Sequence, residues 1–145
     1  MKIRLLISML LALLCAGAST SCRELSQIGD LAGQWQVLSI DYPDGTTVDP
    51  QGAVFYNFYR DVAQLRDNDG GRSTASMAYD EQASKMTLHF PYSSPYALAQ
   101  WGITCPDPEL EAVKDFTISF DIKTLTSDRL VITSQYGVTI SMRKF

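Results

Sequence analysis

The chain has 145 residues, with 12 basic and 16 acidic side chains, one histidine and three cysteines. That is one ordinary domain with enough chain for a real core. The acidic balance argues against nucleic acid as a partner, because displacing counterions from phosphates needs a basic face. A single histidine leaves no histidine cluster for acid–base or metal chemistry.

Residues 1–21 read as an export signal. Lys2 and Arg4 form a positive start, Leu5 to Ala16 is almost unbroken apolar sequence, and the small residues Gly17 to Ser21 follow. The apolar run is too short to cross a hydrocarbon core of ~30 Å, which takes about 20 residues. Ser19, Thr20 and Ser21 stand directly before Cys22. This site resembles the lipobox of bacterial lipoproteins, in which the cysteine takes a diacylglyceryl group and becomes the new N-terminus, held in the membrane by acyl chains of the palmitate type. The usual Leu three residues before the cysteine is Ser19 here, so cleavage near Ala18 with a free thiol at Cys22 is the alternative. Loss of the signal removes Lys2 and Arg4 and no acid, which leaves 124 residues with a net charge of −6.

A lipoprotein of this kind is expected in the cell envelope, anchored in the outer membrane, and the absence of an acidic run in Arg23, Glu24 and Leu25 points to the side that faces the periplasm. With Cys15 cleaved away and Cys22 acylated, Cys105 is the remaining thiol. It cannot close a loop by itself, and without a paired base it reads as inert or as oxidised between molecules.

Residues 22–32 read as a lipidated tether with a helical turn, and residues 33–145 as one domain. From Gln34 onward the apolar period is two rather than 3.6. Phe116, Ile118, Phe120 and Ile122 alternate with Thr117, Ser119, Asp121 and Lys123, as in a strand with one dry and one wet side. Met86, Leu88 and Phe90 repeat the pattern, as do Val138, Ile140 and Met142 against Thr139, Ser141 and Arg143.

Strands are predicted at 34–41, 53–59, 61–67, 72–79, 84–90, 114–123, 128–134 and 137–144. The pairing of the second and third is open, because Val54 to Tyr59 is apolar on both faces. Eight short strands joined mostly by tight turns predict an all-β fold, an antiparallel up-and-down barrel whose interior is filled by side chains or holds one small ligand. The long connection 91–110 carries a short helix, with Ser94 as N-cap, Pro95 at the first position and Gly102 at the C-terminal cap.

Gly33, Gln34 and Trp35 open the first strand, after a lead-in, and Arg143 lies on the last strand. Placed so, they resemble the glycine-x-tryptophan motif and the last-strand arginine of lipocalins. The chain is similar to the lipocalin-like (calycin-type) domains of small lipoproteins from Gram-negative bacteria. The resemblance implies that Arg143 packs over Trp35 and that Gly33, Trp35 and Arg143 close the bottom of the barrel. The chain is shorter than lipocalins of the usual kind and lacks their disulfide and the helix that follows their barrel.

Tyr92, Tyr96, Leu98 and Trp101 in the long connection form either a lid over a ligand or a plug that needs none. No catalytic constellation, metal site or cofactor motif is legible. Asp107, Glu109 and Glu111 read as a solvated turn. Asp67 to Gly71 resembles the start of a calcium loop, but the completing glutamate is missing, and a hairpin turn explains it. Two functions remain. One is a membrane-anchored module that binds a small hydrophobic ligand in the barrel. The other is a filled barrel that docks a protein partner in the envelope. An enzyme has no residue in its favour.

Overall fold

The computed structural model describes residues 27–145. The signal segment 1–21 and Cys22 lie outside these residues. Antiparallel strands follow one another as β1 (Gly33–Asp41), β2 (Thr47–Val48), β3 (Val54–Tyr59), β4 (Val62–Asp67), β5 (Arg72–Asp80), β6 (Lys85–Phe90), β7 (Phe116–Leu125), β8 (Arg129–Ser134) and β9 (Thr139–Lys144). A short helix, α1 (Pro95–Leu98), runs into a 3-10 turn at Ala99–Trp101.

Each strand from β3 onward pairs with the next, and β9 returns to β1 with a register from Trp35↔Lys144 to Asp41↔Thr139. The result is a closed eight-stranded antiparallel barrel, which leaves no long free edge. The strand that sequence reading misses is β2. Its two residues pair with the end of β1, at Ile40↔Val48 and Asp41↔Thr47, and two residues are too few to display a period.

The pairing left open by the apolar β3 is an ordinary hairpin. Tyr59 faces Val62 across a two-residue turn in which Arg60 has a φ of 53°, the left-handed backbone that such turns require. Inside the barrel lie Tyr56 and Phe58. Phe55 projects outward and is covered by Phe145, whose ring meets it edge-on at a centroid distance of 5.1 Å. Two bulges keep inward faces in phase. Leu38 is the extra residue between Val37↔Met142 and Ser39↔Ser141, so Val37 and Ile40 are both buried while Leu38 is exposed.

The interior is occupied by large side chains. Trp35, Tyr56, Phe58, Phe90, Phe120 and Met86 are all fully buried or within 1% of it. The small inward pair, Ala63 and Ala75, stands directly opposed in register and is buried too. Each such large side chain contributes ~1.5–3 kcal/mol through its removal from water.

Up-and-down order sends successive connections to opposite ends. The base holds the lead-in to β1, the hairpins β3–β4, β5–β6 and β7–β8, and Phe145. The mouth holds the β1–β3 connection with β2, the Asn68–Gly71 turn, the long 91–115 connection and the turn before β9.

Candidate functional site

The base is closed by the lead-in. Residues Gly29–Leu31 form a 3-10 turn that carries Leu31, fully buried, under the barrel. The Trp35 indole N–H donates to the Leu31 carbonyl at 2.9 Å, which satisfies the one polar atom of an otherwise apolar side chain. Lys144 lies over the ring of that indole. Its ammonium lies 4.3 Å from the ring centroid and donates to the carbonyl oxygens of Asp30, at 2.9 Å, and Ala32. Partial burial holds the Lys144 pKa below the ordinary lysine value, a shift that the nearby Asp30 carboxylate opposes.

Gly33 is what makes room for this clamp. Its φ is +114°, and a Cβ there would stand 3.2 Å from Cε and 3.3 Å from Nζ of Lys144. Both the backbone conformation and the close approach call for glycine.

The cation over Trp35 is therefore Lys144, and the expectation for Arg143 is corrected. Residues directly opposed in an antiparallel ladder project from the same face. Trp35 opposes Lys144, whereas Arg143 opposes Gln36. Arg143 is exposed, and its Nε donates to Gln36 Oε1 at 2.8 Å on the outer wall. The strand's own alternation, with Ile140 and Met142 inward, already placed Arg143 on the wet side.

At the mouth, the four aromatic and apolar residues of the long connection split into two pairs. Leu98 is fully buried and Trp101 is 3% exposed, whereas Tyr92 is 86% and Tyr96 75% exposed. Trp101 is fixed at two points. Its indole donates to the Arg66 carbonyl at 3.0 Å, and its own carbonyl accepts the Tyr56 hydroxyl at 2.5 Å. Full burial raises the Tyr56 pKa far above the usual phenol value, so the group stays a neutral donor.

Gly102, with a φ of +77°, turns the chain after Trp101. A Cβ there would meet Ile40 Cγ2 at 2.9 Å and Ile140 Cδ1 at 3.1 Å, so the turn is pressed directly onto the core. Pro95 opens α1, and Ser94 takes an extended cap conformation without a side-chain hydrogen bond. A side-chain bond in this region comes from its neighbour, as Ser93 and Ser73 join hydroxyls at 2.7 Å.

The adjoining Asp67 turn is organised by its own carboxylate, which accepts the amides of Asp69 at 2.9 Å and Gly71 at 2.6 Å and the Gln100 side chain at 3.1 Å. The last of these bonds ties the turn to the Ala99–Trp101 segment. Asp107 accepts the Glu109 amide at 3.0 Å in the same way. His89, half exposed, meets the Asp115 carboxylate on the outer wall.

Beside α1 and the turn after it lies an open cleft of about 230 Å³ lined by Pro95, Tyr96, Ala99, Thr104, Cys105 and Glu111. Cys105 borders it and neighbours Tyr136, whose pKa is raised first by burial and then by the Cys105 thiol beside it.

Sequence reading missed Lys144 and Tyr56. For Lys144 half of the signal was available, since the alternation that buries Ile140 and Met142 puts Lys144 on the same face, while its place opposite Trp35 needed the β1–β9 register. For Tyr56 none was, because its partner Trp101 lies 45 residues away.

Residues 13–145 match a family described as a lipocalin-like domain. A comparison with curated proteins gives no match. Among solved structures, a lipocalin-like protein from Bacteroides uniformis is 26% identical, with a TM-score of 0.55 over 81% of this chain and 100% of that one. An uncharacterized protein from Bacteroides eggerthii shares the fold, at 16% identity and a TM-score of 0.55 over 79% of this chain and 99% of that one. With the family match spanning nearly the whole sequence, and the closed barrel beneath it, the chain belongs to the lipocalin-like domain family.

Proposed function

We propose that the protein is an exported lipoprotein, anchored through Cys22 in the outer membrane and facing the periplasm, whose filled barrel is a rigid support for a protein-docking mouth. The observation that carries this reading is Trp101. It is buried and hydrogen-bonded on both sides into the barrel wall, where a ligand-gating lid would expose it.

The anchoring half rests on the signal-like segment, the small residues before Cys22 and the polarity of the barrel. The chain enters at the base, so a lipid tether leaves the mouth on the side away from the membrane. A single acyl chain holds a protein only marginally, whereas several chains hold it stably.

Carriage of a small hydrophobic molecule is the rival. It requires Leu98 and Trp101 to leave the core, at a cost of several kcal/mol. Native mass spectrometry of protein purified from its own host tests the proposal. The filled barrel predicts the bare lipoprotein mass and bound protein partners. A stoichiometric copurified hydrophobic molecule would contradict it.

A further inference from the structure

The connections at the mouth carry Asp44, Asp49, Asp69, Asp107, Glu109, Glu111 and Asp115 against Lys114 alone. Such a one-signed pole draws cations toward it. The cleft beside the plug lies within this field. Its lining residues are Pro95, Tyr96, Ala99, Thr104, Cys105 and Glu111, of which Tyr96 and Glu111 are exposed. The Tyr96 amide donates to the Glu111 carbonyl at 3.0 Å, so the residues that carry the ring and the carboxylate are held together by the backbone. Among the described residues Glu111 takes part in no ion pair.

We propose that this cleft is a recognition pocket for one lysine or arginine side chain of a protein partner. The stem lies on Pro95 and Ala99, and the charged head meets the Glu111 carboxylate and the Tyr96 ring face. Other chemistries fit less well. An anion is repelled by Glu111 and by the field of the whole pole. An apolar ligand desolvates Glu111 without compensation. The volume of about 230 Å³ lies below the ~300–1,000 Å³ typical of pockets for drug-sized molecules, and one long side chain suits it. The choice of a protein as the source of the cation rests on the function proposed above.

The test is a nitrogen-15 NMR titration of the full chain in detergent micelles with Nα-acetyl-arginine methylamide. The citrulline counterpart, uncharged and nearly the same shape, is the control. The arginine probe is expected to shift the amides of Tyr96, Ala99, Thr104 and Cys105 saturably. It should bind about tenfold more tightly than the citrulline probe, the combined effect of an ion pair and a cation–π contact. Glu111→Gln keeps the backbone bond to Tyr96 and should erase that preference, and Tyr96→Leu should weaken binding several-fold. Equal shifts from both probes, an unchanged preference in Glu111→Gln, or no shift from the arginine probe would overturn the proposal. Added fatty acid reports separately. Shifts at the inward Tyr56 and Phe120 would contradict the filled barrel and leave the result at the cleft readable by itself.

Discussion

The ammonium of Lys144 stands 4.3 Å from the centroid of the Trp35 ring, while Arg143 turns outward to Gln36. One last-strand cation thus seals the base, and its neighbour decorates the wall. Trp35→Ala should destabilise the domain by about 3–5 kcal/mol. In double-mutant cycles by urea unfolding, Trp35→Leu should couple to Lys144→Met by ~0.5–2 kcal/mol and to Arg143→Met by nothing measurable. Coupling to Arg143 in place of Lys144 would refute the arrangement.

Gly33→Ala should cost about 1–3 kcal/mol, through a strained φ and a displaced Lys144. Because the clamp fails with it, the same substitution should speed amide exchange at Leu31 and Ala32, whose carbonyl or amide groups serve the lead-in. A stability equal to wild type would remove the glycine from the account.

The buried hydroxyl of Tyr56 makes alkaline pH a probe of the mouth. Its folded pKa is raised above the ordinary 10.0, so above pH 10 the unfolded chain loses a proton that the folded chain keeps. Stability is fully present below pH 10 and falls by about 1.4 kcal/mol per pH unit above it. Lys144, whose pKa is lowered, contributes with the opposite slope below its ordinary value. The difference between wild type and Tyr56→Phe isolates the phenol. That difference should shrink steadily above pH 10, and a difference constant with pH would contradict full burial of the hydroxyl.

The anchor has its own test. Cys22→Ala should move the protein from the membrane fraction to the soluble one in its host. An unchanged distribution would remove the lipid anchor from the proposed function.

Most of the barrel was legible because burial on one face imprints a period of two, as in Phe116, Ile118 and Phe120 of β7 or Ile140 and Met142 of β9. What escaped lacks a local imprint. The Arg60 turn has no glycine to mark it, since the two strands it joins set its left-handed backbone. The bulge at Leu38 shifts the period within a single strand. At the mouth, Ser94, Pro95 and Gly102 placed the helical segment correctly. Which of its aromatics point inward depended on Tyr56 and Arg66, strands away in sequence. Fixing the cation over Trp35 needed the β1–β9 register, which no single strand discloses.

The central claim is that the mouth is plugged and the barrel solid, and the Trp101 indole N–H, bonded to the Arg66 carbonyl at 3.0 Å, reports on it most directly. Native-state hydrogen exchange of that proton, measured across sub-denaturing urea with and without added palmitate, separates plug from lid. The plug predicts exchange only through global unfolding, with the same urea dependence as the Trp35 indole at the other end, and no effect of palmitate. Exchange through a local, urea-insensitive opening that palmitate suppresses would contradict it.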